Sequence, residues 1–118
     1  MSLTTKSVYS QLEDVVGCKW SVSVLRAVAM GISRPGALER HIEGISTKVL
    51  SERLRKLTAY DLLAKHVYAE VPPRTEYSLT ANGRKLVDII DQLKLLDDEI
   101  RSAEEGVWAN SANRHRRT

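Results

Sequence analysis

Phenylalanine is absent from the 118 residues, and two tryptophans and four tyrosines make up the whole aromatic complement. The core of this chain must therefore be aliphatic, built from leucine, valine, isoleucine and alanine. Cys18 is the only cysteine, which rules out an intrachain disulfide and a tetrahedral cysteine-based zinc site. His41, His66 and His115 have no metal-ligand spacing, there is no glycine-rich phosphate loop, and no nucleophile stands near an evident base. No enzymatic function and no cofactor are expected. No apolar run is long enough to cross a bilayer. The first residues, "MSLTTKSVYS", lack the charged-then-apolar order of a signal peptide. The expected setting is a reducing cytoplasm, without membrane attachment.

The length suits one domain. The formal charge of +3 is small, so its distribution says more than its total. Residues 33–85 hold ten Lys and Arg against six Asp and Glu, a net +4. Residues 86–106 hold two against seven, a net −5, and residues 107–118 add three arginines and no acid. A basic middle and a basic end thus flank an acidic segment.

Residues 8–16 place Val8, Leu12, Val15 and Val16 at helical spacing, and Gly17 punctuates. Residues 19–30 are apolar almost all round and predict a central buried helix with Trp20, Val24, Ala27 and Val28 on one face, closed by Gly31. Pro35 suits a helix first turn, so a short helix is expected over about 35–42. Gly44 and Ile45 make a turn, and Ser46 is a good N-cap for a helix over about 47–58. Helix, tight glycine-bearing turn, helix is the helix-turn-helix pattern.

On a wheel of about 100° per residue, Leu50, Leu54 and Leu57 fall on one side of the second helix, and Lys48, Ser51, Glu52 and Arg55 nearly opposite. Cations can donate to guanine, glutamate can accept from cytosine, and serine can reach bases or phosphate, which is the chemistry of a helix in a DNA major groove. Lys56 is counted with this set. Ser46 and Thr47, with the open N–H groups of the helix start, can hold a phosphate. An ordinary amphipathic helix with a solvated charged face gives the same pattern, so this helix alone does not decide.

Two extended runs follow, Leu63–Tyr68 and Thr75–Leu79, joined by a loop that carries Pro72 and Pro73. Helix-turn-helix plus hairpin makes a winged helix. Arg74 is the expected wing cation for phosphate, with Lys65 and His66 as weaker candidates. Thr80 is a plausible N-cap for a last helix, about 81–105. Its Leu86, Ile89, Ile90, Leu93, Leu96 and Ile100 form a long narrow apolar stripe suited to dimerisation with a second chain. The expected organisation is an arm at 1–7, a winged helix-turn-helix with its dimerisation helix at 8–105, and a disordered basic tail at 106–118. The fold class is mainly α with a small β-hairpin (α+β).

The chain resembles the HxlR-type transcriptional regulators, small dimeric winged-helix proteins of bacteria. The matching residues are Lys19-Trp20 with the apolar helix behind them, "GISTKVLSERLRKL" from Gly44 to Leu57, and the segment from Tyr68 to Gly83 that contains "EVPPRTEYSLT". The resemblance covers about residues 8–100. It implies a homodimer that binds double-stranded DNA at an inverted-repeat operator, expected to act as a repressor, with helices from both ends of the chain forming the interface. A protein-interaction module of the same fold without specific DNA binding is the alternative.

Four positions depart from that family pattern. Pro35 replaces the usual aromatic after Arg34, Ala37 replaces an acid, and Asp61 replaces the glycine before Leu62. Aspartate tolerates a left-handed turn better than most residues, so the fold is expected to survive. The cysteine that many relatives carry ahead of the first helix falls at Ser7-Val8 here. Cys18 lies elsewhere, where a nearby lysine or a helix N-terminus can lower its pKa. It is read either as a redox site or as a small buried thiol. No residue singles out a small-molecule effector.

Overall fold

The computed structural model of the chain describes the backbone of residues 7–117 and the side chains of residues 7–106. The arm expected at 1–7 falls, apart from Ser7, outside the described residues, as does Thr118. Five helices and two strands follow one another: α1 (Val8–Val16), α2 (Lys19–Ala29), α3 (Pro35–His41), α4 (Thr47–Ala59), β1 (Leu63–Tyr68), β2 (Arg74–Leu79) and α5 (Ala81–Arg117). By contact density the chain divides into two units, Met1–Val87 and Asp88–Thr118.

Local chemistry sets the element ends in the first unit. Ser7 caps α1, its Oγ accepting from the Ser10 N–H at 3.1 Å. Ser46 caps α4 the same way, through the Val49 N–H at 3.1 Å. Pro35 occupies the first turn of α3, where its missing N–H costs nothing. Gly44 takes φ +85°, which lets the chain reverse between α3 and α4.

α2 runs through the middle of this unit and packs against α1, α3, α4 and β2. Val24, Leu25, Ala27 and Val28 of α2 are buried with Val15, Leu38, Leu50, Leu54 and Leu57. The aliphatic core expected from the composition is the one observed. Trp20 differs from expectation, since it is half-buried and Leu25 holds the interior place. The Trp20 ring lies at the unit's edge, with the Lys19 ammonium 4.9 Å from its centroid.

The hairpin is antiparallel, with Leu63 opposite Leu79 and Tyr68 opposite Arg74. Only its base is buried, through Leu63 and Tyr77. A main-chain bond from the Tyr77 N–H to the Ser33 carbonyl (2.8 Å) ties β2 to the loop ahead of α3. Asp61 adopts φ 59°, so the left-handed turn expected there is observed. The turn is stitched to the start of α5. The Thr80 hydroxyl donates to the Asp61 carbonyl (2.7 Å), Asn82 Nδ2 donates to Asp61 Oδ2 (3.0 Å), and the Thr80 N–H donates to the Leu62 carbonyl (3.1 Å). Thr80 Oγ1 also accepts from the Gly83 N–H at 2.9 Å and so caps α5.

α5 stays helical through Arg117, past the end expected near 105, so the segment expected as a disordered tail is helical in its backbone. Beyond Gly106 the sequence holds no proline and no further glycine, and alanine and arginine favour helix. In the second unit, Arg101 pairs with Asp97 and Asp98 at 2.9 Å each, the one-turn spacing of a helix surface. Among the described residues no helix is long and apolar enough to cross a membrane.

Candidate nucleic-acid interface

α4 presents two chemically different faces. Leu50, Leu54 and Leu57 are buried, while Lys48, Ser51 and Arg55 are exposed and Glu52 half-exposed. The face read from the wheel is therefore the solvent face. None of Lys48, Ser51, Glu52 and Arg55 has a side-chain hydrogen bond or ion pair among the described residues. Two cations, a hydroxyl and a carboxylate stand ready on one helix surface, with no partner to displace among the described residues.

The helix start is more committed. The Thr47 hydroxyl donates to Glu39 Oε2 on α3 at 2.9 Å, which fixes the angle between the two helices of the motif. What Thr47 can offer an anion is its main-chain N–H, one of the groups that a helix start leaves without a carbonyl. The Ser46 oxygen accepts from Val49, and its own proton remains to be donated.

Two residues of the expected set have partners within the chain. The Lys56 ammonium lies 4.0 Å from Asp14 Oδ2 on α1 and 5.7 Å from the Tyr60 ring, so this cation is turned toward α1. One residue on from Arg55, it is turned by about 100° and leaves the open face. Arg74 is engaged three times. Its NH2 group lies 3.3 Å from Glu70 Oε2, its Nε 3.4 Å from Glu76 Oε2, and its guanidinium carbon 4.1 Å from the centroid of Tyr68. Arg34, next to α3, joins the same Glu76 at 3.5 Å. The expected wing cation is thus the hub of a near-neutral cluster that stiffens the hairpin. Val71, Pro72 and Pro73 at its tip are exposed.

Lys65, ranked low from sequence, is exposed on β1 and has no ion pair among the described residues. It lines the same crevice as Arg55, a nearness that only the packing of the hairpin on α4 creates. His66 Nε2 and Ser78 Oγ lie 3.4 Å apart across the strands.

On α5 the expected stripe divides. Leu86 and Ile90 are buried, so neither offers area to another chain. Ile89, Leu93, Leu96 and Ile100 remain 45–52% exposed, with Leu95 beside them. On a wheel of about 100° per residue, Leu86 and Ile90 lie toward one edge of the stripe and the four open residues toward the other.

Cys18 is the N-cap residue of α2 and half-buried. Burial raises its pKa, but hydrogen bonding to Ser21, the charge of Arg53 and the Trp20 main chain outweigh that, so the thiol lies below its ordinary value. No group of His, Cys, Asp and Glu among the described residues is arranged to hold a metal ion.

The family model for the HxlR-like helix-turn-helix matches residues 15–105. An HTH-type transcriptional regulator of Synechocystis sp. is 44% identical over 77 residues, which span 65% of this chain and 57% of that protein. The Bacillus subtilis regulator YtcD is 39% identical over 87 residues, spanning 74% of this chain and 68% of its own length. The matched part of the chain is thus little more than half of the first relative. A crystal structure of a MarR-family regulator from Enterococcus faecalis superposes with a TM-score of 0.73 at 31% identity, over 88% of this chain and 96% of that one. The redox regulator HypR in its reduced form gives 0.72 at 33% identity, over 85% and 99%.

Proposed function

Since the chain belongs to the HxlR-like helix-turn-helix family, we propose that it is a DNA-binding transcriptional regulator that acts as a homodimer on an inverted-repeat operator. One observation carries this reading. The outer face of α4 holds Lys48, Ser51, Glu52 and Arg55 without partners among the described residues, on a helix whose other face is locked into the core by Leu50, Leu54 and Leu57. Binding breaks no interaction between these side chains and the described residues, and hydrogen bonds to base edges replace those made to water.

In this reading Lys48 and Arg55 donate to bases or to the groove edge, Glu52 accepts from a cytosine amino group, and Ser51 adapts to either. Ser46 and the main-chain N–H groups at the start of α4 hold a phosphate. Lys56 is turned toward α1, and Arg74 contributes through structure, by stiffening the wing. The exposed Ile89, Leu93, Leu96 and Ile100 are covered by a second copy of the chain. A two-fold dimer presents two α4 helices about one DNA turn apart, roughly 34 Å, to a palindromic site.

A fluorescence-anisotropy titration against DNA flanking the chain's own gene tests the proposal. Saturable binding that resists competitor DNA and weakens steeply with salt is the expected result. Binding no tighter than to unrelated DNA of equal length at the same salt sinks it.

A further inference from the structure

The aliphatic core does not take in Trp20, which stays half-buried at the start of α2 while Val24 and Leu25 are fully enclosed. Its ring rests against the turn between α3 and α4, where a Cβ on Gly44 would lie 3.6 Å from Trp20 Cη2. The Lys19 ammonium stands over the same ring, 4.9 Å from its centroid. We infer that Lys19 and Trp20 form a clamp on the DNA backbone, in which the Lys19 ammonium and the Trp20 indole N–H each donate to a phosphate oxygen beside the start of α4.

Gly44 stands two residues ahead of Ser46, the cap of α4, whose proton remains to be donated. The Trp20 ring thus touches the turn that leads into the helix start, and the clamp rests on the DNA-binding reading that puts a phosphate there. A helix in the major groove has a phosphate strand along each side, so groups beside its first turn meet backbone before they meet base edges.

Both donors are open to a ligand. Lys19 is exposed and has no ion pair among the described residues, and Glu43, the acid of the same turn, forms none with it. A ring face attracts a cation without neutralising it. Arg74 shows the contrast, since it has a ring contact of the same kind with Tyr68 but also two carboxylates beside it. The charge of Arg74 is compensated within the wing, and that of Lys19 is not. Its ring contact also restrains the ammonium, so less side-chain freedom is lost on binding. The Trp20 indole N–H makes no hydrogen bond among the described residues and is not buried, so it opens to solvent. An indole N–H only donates, which suits an oxyanion.

Contacts of this kind position the protein and carry no sequence information. α2 packs directly on α4, so a phosphate held at the start of α2 fixes how far α4 advances into the groove. The clamp therefore strengthens binding to every sequence by a common factor and leaves discrimination to Lys48, Ser51, Glu52 and Arg55.

The test titrates the full chain, over a series of salt concentrations, with DNA flanking its own gene and with unrelated DNA of equal length. Lys19→Met should weaken binding to both about tenfold, the loss expected for one charge-assisted hydrogen bond. It should also reduce the slope of log affinity against log salt by about one, and Lys19→Arg should restore that slope. Trp20→Phe keeps an aromatic ring under the ammonium and removes the N–H. It should weaken binding to both DNAs about fivefold and leave the slope unchanged, because a neutral donor releases no counterion. Lys19 is exposed, so Lys19→Met should keep the wild-type urea midpoint, which separates lost contact from lost fold. A Lys19→Met chain with the wild-type slope overturns the phosphate contact and leaves Lys19 a surface residue resting on Trp20. A loss confined to the flanking DNA overturns the backbone assignment and points to a base. Wild-type affinity in Trp20→Phe overturns the indole donor. A slope reduced by one in a chain that shows no preference for the flanking DNA would instead fail the operator reading and leave the clamp standing. A wild-type chain that binds neither DNA overturns both.

Discussion

The guanidinium of Arg74 stacks over the ring of Tyr68, its cross-strand partner, at 4.1 Å from the centroid. The stack joins the two strands where the wing loop begins, and Glu70 and Glu76 hold the charge from either side. A cation so compensated releases few counterions from DNA. Arg74→Ala should therefore leave the slope of log affinity against log salt nearly unchanged, while a phosphate contact would lower it by about one. Affinity itself should fall by a factor common to all sequences, as the wing loses its shape. A slope reduced by one would return Arg74 to the phosphate.

Gly83 marks a close approach of two backbones. A Cβ there would collide with the Leu62 carbonyl oxygen and crowd Leu79 Cδ2 at 3.3 Å. The carbonyl cannot retreat, because it also accepts from the Thr80 N–H. Gly83→Ala should destabilise the chain by about 1–3 kcal/mol or more, although alanine is the better helix former. Urea unfolding measures it, and a midpoint at or above the wild-type value would refute the contact.

The elements were legible where local chemistry sets them. Pro35, Gly44 and Ser46 bracket α3 and α4, and Thr80 opens α5, so those boundaries need no tertiary information. The open face of α4 followed from period alone. Partners across the fold did not. Nothing within α4 says that Lys56 meets Asp14 of α1, some forty residues earlier in the chain. Nothing in the hairpin sequence says that Arg34 shares Glu76 with Arg74, or that Lys65 joins Arg55 at one crevice. The division of the α5 stripe into buried Leu86 and Ile90 and open Leu93 and Leu96 likewise depends on what stands beside the helix.

Neighbouring cations on α4 should separate cleanly. Arg55→Ala should cost about 1–3 kcal/mol of specific affinity if its guanidinium makes a bidentate base contact. Lys56→Ala should change operator affinity much less, since its ammonium is directed to Asp14 and Tyr60. Paired titrations on one operator, with folding checked by circular dichroism, decide it. Equal losses in the two variants would show that the face is drawn wrongly.

Cys18 should make stability depend on pH. Its folded pKa is depressed, so between that value and the ordinary thiol value the unfolded chain binds more protons than the folded one. Stability contributed by the thiolate is therefore present above the unfolded pKa and lost as pH falls through the folded one. Under reducing conditions, unfolding free energy should rise with pH across that window, and Cys18→Ser should remove the rise. An identical pH dependence in wild type and variant would show that the thiol is not held ionised.

The two kinds of stripe residue on α5 predict opposite failures. Leu93 is exposed within one chain, so Leu93→Asp should leave the fold intact and cost only what a second chain would cover. Light scattering should then give a mass near the 13.3 kDa of one chain, against twice that for the wild type. DNA binding should weaken strongly, because two half-sites are no longer held by one molecule. Leu86 is buried, so Leu86→Asp places a charge in an apolar site and should unfold the chain before association is in question. A Leu93→Asp chain that stays dimeric would move the interface to another surface. A Leu86→Asp chain that folds would mean that this position is open after all.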